Sequence, residues 1–322
     1  MAFLLDCCSE SIKAAARRIL NGRLVVFPTE TVYGIGGNAY IDTVVADIYA
    51  IKNRPSRNPL ISHYASAEQA WNDVIPSDSA IRLTEKFWPG PMTLVLKRSE
   101  NSRISQRACA GLPTAAVRVP SHKIAHRLIL ETGIPIVAPS ANKSTHLSTT
   151  TAEMVKADFA DDDILILDGG PCNVGIESTI VDATDDDGVM ILRHGIITEA
   201  EISTVCRIKE QKVDTTHPIA PGMMFKHYSP QNHKVIMNAI ACESNDGYVD
   251  FGCPRTVDCK IYKNLSLTGD LNEAAANLFR MLYELDMSDC DNIVIAPIPE
   301  RDAGIAINDK LRRASGRTGY LD

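Results

Sequence analysis

Over its first 210 residues the chain alternates short apolar runs with helical patterns, and that alternation confines it to a sheet covered by helices. Leu24-Val25-Val26-Phe27 reads as the first buried strand. It follows a helix over 9–21 that stops at Gly22, a residue type suited to the left-handed backbone beyond a helix end. Further strands are predicted over 59–64, 92–98, 115–119, 135–138, 164–168, 178–183 and 189–193. Helices are predicted from Asp42, with Val45, Ile48 and Tyr49 on one face, and over 77–87, 121–132 and 150–159. Between 164 and 193 strands succeed one another without a helix, so the sheet is expected to be mixed rather than purely parallel.

A length of 322 residues exceeds the roughly 250–300 at which single cores stop growing, so two domains are expected. The alternation breaks between about 207 and 232. A polar stretch over 209–218 gives way to Ala-Pro-Gly-Met-Met-Phe-Lys-His-Tyr-Ser-Pro over 220–230, too rich in Met, Phe and Tyr for a flexible tether. From Lys234 a smaller α/β unit follows, with strands expected over 234–238, 248–252 and 292–297 and helices over 269–285 and 303–315. The expected organisation is a first domain over 1–208, a linker over 209–232 and a second domain over 233–322.

No apolar run approaches the ~20 residues needed to span a bilayer, and the first residues lack the basic and apolar regions of a secretory signal. A cytoplasmic location is expected. Nine cysteines, an odd number without Cys-x-x-Cys spacing, read as reduced thiols rather than a disulfide framework or zinc site. The net charge of −7 hides an asymmetry: residues 51–130 hold 12 Lys/Arg against 5 acids, and residues 158–187 hold ten acids and no base. An acidic chain with one basic stretch suits capture of a small anion better than wrapping a nucleic acid.

Within that stretch, Lys52, Arg54 and Arg57 fall among Pro55 and Pro59. Two prolines argue for a presented loop, and guanidiniums on a stiff loop offer forked donors to phosphate or carboxylate. Thr29-Glu30-Thr31 leaves the first strand and leads into Gly34-x-Gly36-x-x-Ala39, a formal match to a dinucleotide fingerprint. Arg54 stands about twenty residues on, where that fingerprint wants an acid, so a nicotinamide oxidoreductase rests on two glycines alone. A polar strand end with glycines suits a small polar ligand better. Ser140, Asn142 and Ser144 after another apolar strand, and Asp168-Gly169-Gly170 and Glu177-Ser178-Thr179, are further polar strand ends where open α/β sheets bind ligands. His122 and His126 have zincin spacing without the glutamate and read as a surface pair. Neither a nucleophile elbow nor a Walker phosphate loop is present.

Taken in order, these segments resemble the YrdC-like family in its long two-domain form, the threonylcarbamoyl-AMP synthases. The resemblance is carried by Phe27-Pro28-Thr29-Glu30-Thr31-Val32-Tyr33-Gly34, Lys52-x-Arg54-Pro55 with Pro59-Leu60, and Trp88-Pro89-Gly90-Pro91-Met92-Thr93. It continues through Ala115-x-Val117-Arg118-Val119-Pro120, Ser140-Ala141-Asn142, Glu177 to Asp182 and Leu192-Arg193-x-Gly195. Pro221-Gly222-Met223 with His227-Tyr228-Ser229-Pro230 is similar to the linker of the long form, and Arg312-Arg313-Ala314 to its second domain. Thr145 stands where the family usually has glycine.

The resemblance implies a YrdC-like twisted mixed sheet with flanking helices and a smaller, Rossmann-like C-terminal α/β domain. It implies an ATP-dependent nucleotidyltransferase that joins L-threonine, bicarbonate or CO2, and ATP into threonylcarbamoyl-AMP and pyrophosphate. Mg2+ would arrive on the ATP phosphates, with no metal site on the protein. A partner transferase complex would pass the threonylcarbamoyl group to tRNA, which this chain meets only indirectly. Lys52 and Arg54 would neutralise the triphosphate as pyrophosphate leaves. Thr31, His63, Arg118, Ala138 and Ser178 would line the threonine pocket. Arg54, Asn58, Thr114, Ser140, Asn142, Ser148, Arg193 and Tyr228 would meet the nucleotide. The linker would act as a lid over the site, with Met223, Phe225 and Tyr228 as its apolar side chains. A non-catalytic RNA-binding module is the alternative reading of the same fold. Against it stand the pocket motifs, the linker and the overall acidity.

Overall fold

The computed structural model describes residues 2–209 and 228–316. Most of the expected linker, including Met223 and Phe225, lies outside the described residues; Tyr228 lies inside them. An 11-stranded sheet forms the first unit. Its order is Phe3–Asp6, Leu165–Asp168, Val25–Phe27, Gly34–Asn38, Ile136–Val137, Ile61–His63, Thr114–Arg118, Met92–Arg98, Thr179–Asp182 and Met190–Arg193, with Val74–Ile75 paired beside Met92–Arg98. Parallel and antiparallel neighbours alternate irregularly, as the succession of strands without helices requires.

Side chains of successive strand residues point to opposite faces, and the first strand shows why it had to be apolar throughout. Val26 enters the core beneath helices Asp42–Lys52, Asp78–Phe87 and Ala152–Asp158. Val25 and Phe27 enter the core beneath helices Ser9–Leu20 and Lys123–Thr132. That second face is only partly roofed. Further along it, Ile61, Ala116, Val95 and Ile180 form a thin apolar patch to which no helical residue belongs among those described. These residues sit on adjacent strands, with Ile61 opposite Ala116 and Ala116 opposite Val95. All four are buried, and Ile61 alone of them lines a cleft.

The segment Gly34–Asn38, read as a glycine-rich run after a polar strand end, is itself a strand, and Gly34 lines the cleft described below. A Cβ at Gly36 would lie 2.8 Å from the Val137 carbonyl oxygen and 2.8 Å from the Ala138 Cβ, so glycine is needed for close strand approach. The edge strand Phe3–Asp6 and the strand Ile261–Asn264 were not anticipated either. The basic stretch is also less loop-like than its prolines suggest. Helix Asp42–Lys52 runs through Lys52 and ends at Asn53 in the left-handed conformation (φ 51°).

The smaller unit holds a parallel four-stranded sheet in the order Lys234–Ile236, Asn292–Ile295, Gly247–Asp250, Ile261–Asn264. Helices Leu271–Asp286 and Ala303–Ala314 cover it with a continuous apolar face. Leu147 and Ile176 from the first unit, and Tyr228, are part of the same hydrophobic cluster, so the two units share a core. The join is tight at Gly175 (φ +74°), where a Cβ would fall 2.4 Å from Ala276 Cα and 2.5 Å from the Ala275 carbonyl oxygen. Gly175→Ala therefore combines left-handed backbone strain with a clash against helix backbone. A loss of about 1–3 kcal/mol in denaturant unfolding is expected. An unchanged midpoint would mean that the units do not meet there.

Candidate active site

The cleft that Ile61 lines is built around Arg118. Strands Ile61–His63 and Thr114–Arg118 are parallel and in register, so His63 lies opposite Arg118 on the same face. Arg118 is 3 % exposed. Its Nη2 donates to Glu30 Oε1 at 2.6 Å, its Nη1 to Thr31 Oγ1 at 3.0 Å and its Nε to the Gly90 carbonyl at 3.2 Å. A guanidinium has five N–H donors. These three bonds leave two without a partner among the described residues. Thr31 and Thr29 hydroxyls lie 2.8 Å apart and Thr29 donates to the Val32 carbonyl, which fixes the turn after Phe27. Burial opposes the Glu30 carboxylate, but the Arg118 charge and hydrogen bond outweigh it and hold its pKa below the ordinary value.

Opposite Arg118 stands a second guanidinium. Arg193 donates through Nε and Nη2 to the Ser178 carbonyl at 3.1 and 2.9 Å and through Nη2 to Ser178 Oγ at 3.0 Å. Ser178 Oγ also pairs with Thr93 Oγ1 at 2.8 Å. Glu177 beside it accepts a short hydrogen bond from Ser148. Arg54 forms the third cationic wall, anchored by Nη2 on the Pro59 carbonyl at 3.0 Å. Burial and the charge of Arg193 lower its pKa to about 10.

Several residues singled out from the sequence thus share one cleft: Thr31, His63, Arg118, Ala138 and Ser178 with Arg54, Ser140, Arg193 and Tyr228. Tyr33 and Glu177 line it as well and had carried no assigned role. The cleft runs across the sheet face, since Ile61 and His63, two residues apart on one strand, both line it. Thr29, Thr31, His63, Arg118, Ser140 and Arg193 end or follow strands, as expected of a site at carboxyl ends, whereas Glu177 and Ser178 precede theirs.

Lys52, Asn58, Thr114, Asn142 and Ser148 do not line it. Lys52 is 1 % exposed, and its ammonium donates to the carbonyls of Ser140 (2.6 Å) and Asn142. Burial, then the Arg54 charge, drives its pKa well below the ordinary lysine value. Asn142 is turned inward, donating to the carbonyls of Lys143 and His146. Thr114 begins the strand that Arg118 ends, about 13 Å away at the usual rise. Asn58 is buried, and its carbonyl accepts from Tyr49 and Arg54. Thr145 adopts φ +73°, a conformation natural to the glycine that usually stands there in the resembled family. His122 and His126 are half-buried rather than surface residues, with His126 on the Ala65 carbonyl. All nine cysteines are free thiols.

The arrangement of both units agrees with the comparisons to known proteins. Residues 17–195 match the Sua5–YciO–YrdC family, described as "Telomere recombination". The chain belongs to that family. Residues 197–316 match the threonylcarbamoyl-AMP synthase C-terminal domain, which makes this the long, two-domain form. The threonylcarbamoyl-AMP synthase of Pyrococcus abyssi is 37 % identical over 95 % of this chain and 94 % of its own length. That of Bacillus subtilis is 36 % identical over 95 % and 93 %. The crystal structure of P. abyssi Sua5 complexed with L-threonine matches with a TM-score of 0.86 at 36 % identity, covering 98 % of each chain. Among the described residues no helix is long and apolar enough to cross a membrane.

His63 sets the pH response of this family member's site. It is 4 % exposed and packs edge-on against Phe27 at 6.3 Å. Burial, then the Arg118 charge, pushes its pKa from 6.5 down to about 3. As pH falls from 6.5 the unfolded chain takes up this proton and the folded one does not, so stability is lost toward pH 3. The loss approaches about 1.4 kcal/mol per unit. His63→Gln is expected to unfold with a shallower pH dependence between 6.5 and 5, measured by denaturant titration. Equal slopes for the two proteins would contradict a buried neutral imidazole.

Proposed function

We propose that the chain is a threonylcarbamoyl-AMP synthase, a nucleotidyltransferase that makes L-threonylcarbamoyladenylate and pyrophosphate from L-threonine, bicarbonate or CO2, and ATP. The observation that carries this reading is the cleft itself. Arg118 keeps two N–H donors without a partner among the described residues, and Ile61, Arg54 and Arg193 line the same cleft. Two spare donors on one guanidinium suit the carboxylate of an amino acid. Thr31 and Ser178 hydroxyls and the Ala138 methyl offer a matching surface to a small hydroxylated side chain. Arg54, Ser140, Arg193 and Tyr228 form the nucleotide side.

The threonine amine, as the neutral free base, attacks CO2, and loss of one N–H proton to solvent gives a carbamate. A carbamate oxygen then attacks the α-phosphorus of ATP, and the bond to the β-phosphate oxygen breaks as pyrophosphate leaves. This in-line displacement needs placement and charge neutralisation rather than a protein nucleophile. His63, neutral at physiological pH, adds no charge beside the amine. Mg2+ enters as part of the nucleotide substrate and shields its phosphate oxygens. Lys52 is committed to the carbonyls of Ser140 and Asn142, so its role here is to place that turn, leaving Arg54 to meet phosphate. Asn58, Thr114, Asn142 and Ser148 act, in this reading, behind or beside the cleft. The unstable product would pass in the cytoplasm to a transferase complex that modifies tRNA.

Purified protein with ATP, Mg2+ and bicarbonate should release pyrophosphate only when L-threonine is added, and Arg54→Met should slow that release roughly 100-fold. Release at the same rate without threonine would overturn the reading.

A further inference from the structure

Helix Ala303–Ala314 belongs to the C-terminal unit, yet its one lysine turns into the joint with the first unit. Lys310 is 1 % exposed. Its Nζ donates to the His194 carbonyl at 2.8 Å and stands 5.9 Å from the centre of the Tyr228 ring. His194 follows Arg193 directly, and Arg193 grips Ser178 on the cleft wall. The ring of Tyr228 lies 5.3 Å from that of Phe279, on helix Leu271–Asp286. Tyr228 itself is 1 % exposed and holds φ at +62°, a left-handed conformation that a side-chain-bearing residue keeps only when its surroundings impose it. The next amide, Ser229 N–H, donates to the Thr145 carbonyl at 2.9 Å.

A buried ammonium is expensive unless its hydrogen bonds and charge are used. Burial lowers the Lys310 pKa, and Glu177, a cleft residue, is the group that most counteracts this, followed by Asp309. The lysine is therefore hydrogen-bonded to a carbonyl next to Arg193 and stands near the ring of Tyr228, both beside the cleft. A purely structural contact between two units would be made more cheaply by an apolar side chain of similar length.

We propose that Lys310 is a positioning residue of the active site, through which the C-terminal unit fixes the Arg193–Tyr228 wall of the cleft. The inference rests on the synthase reading for its functional consequence, but not for its structural one. Lys310→Met keeps the stem and deletes the donor and charge. Leu282→Ala, in the core of the same unit and not among the residues that line the cleft, serves as a control for lost stability. Lys310→Met should lower kcat for threonine-dependent pyrophosphate release by roughly ten-fold or more, while Leu282→Ala stays within about two-fold despite a lower Tm. Independently of activity, hydrogen exchange at the Ser229 amide should accelerate about ten-fold or more in Lys310→Met and not in Leu282→Ala. Ser229 protection like that of the parent would overturn the proposal. So would losses of activity that track Tm alike in both variants. A parent protein without threonine-dependent release would instead remove the synthase reading, and the exchange experiment would still decide the role of Lys310.

Discussion

The buried ion pair between Arg118 and Glu30 is the interaction on which the cleft depends. One guanidinium ties together the end of strand Thr114–Arg118, the turn after Val25–Phe27 and the Gly90 carbonyl. Both partners are nearly inaccessible, at 3 % and 7 % exposed. Removing two charges from water costs several kcal/mol per ion, and their attraction repays it only with filled hydrogen-bond geometry. Deleting either partner alone would strand a charge in apolar surroundings. The pair therefore fixes the Arg118 guanidinium at the cleft wall, and its cost is one that a purely structural core would avoid.

Around that pair, the cleft lies along a part of the sheet face that no described helix packs on. Helices Ser9–Leu20 and Lys123–Thr132 cover one end of the face, and the separate buried cluster of Ile61, Val95, Ala116 and Ile180 contributes Ile61 to the cleft. Behind the cleft, the Lys52 ammonium pins the turn that carries Ser140. From the far side, the C-terminal unit reaches in with Lys310 and Phe279 on either part of Tyr228. Each wall is thus fixed by a different element, and the two units share apolar core through Leu147 and Ile176.

Much of this was legible in the residues. Apolar runs such as Leu24 to Phe27 announced strands buried on both faces, and Gly22 and Gly133 marked helix ends that the structure confirms at or within a residue. Ordered motifs named most of the cleft's lining. What escaped has physical causes. Strand Gly34–Asn38 carries three glycines because strands approach closely there, and glycine gives no strand signal. Lys52 sits among prolines and arginines, so its local sequence looks like surface; only the turn at 140–142, some ninety residues on, supplies its partners. Glu30 is invisible as a partner until Arg118 is brought to it by sheet register. Lys310 looks like any lysine on an amphipathic helix until a second unit covers it. Local pattern reports burial and element type, and long-range pairing decides what a buried charge is for.

In the proposed function Arg118, held by Glu30, receives the substrate carboxylate. The direct measurement is calorimetric titration of L-threonine into the parent protein and into the double variant Glu30→Gln/Arg118→Met, which removes the pair without stranding a charge. Saturable binding to the parent, weakened about ten-fold or more in a folded double variant, is the predicted result. Threonine binding with the same affinity to both would contradict the account.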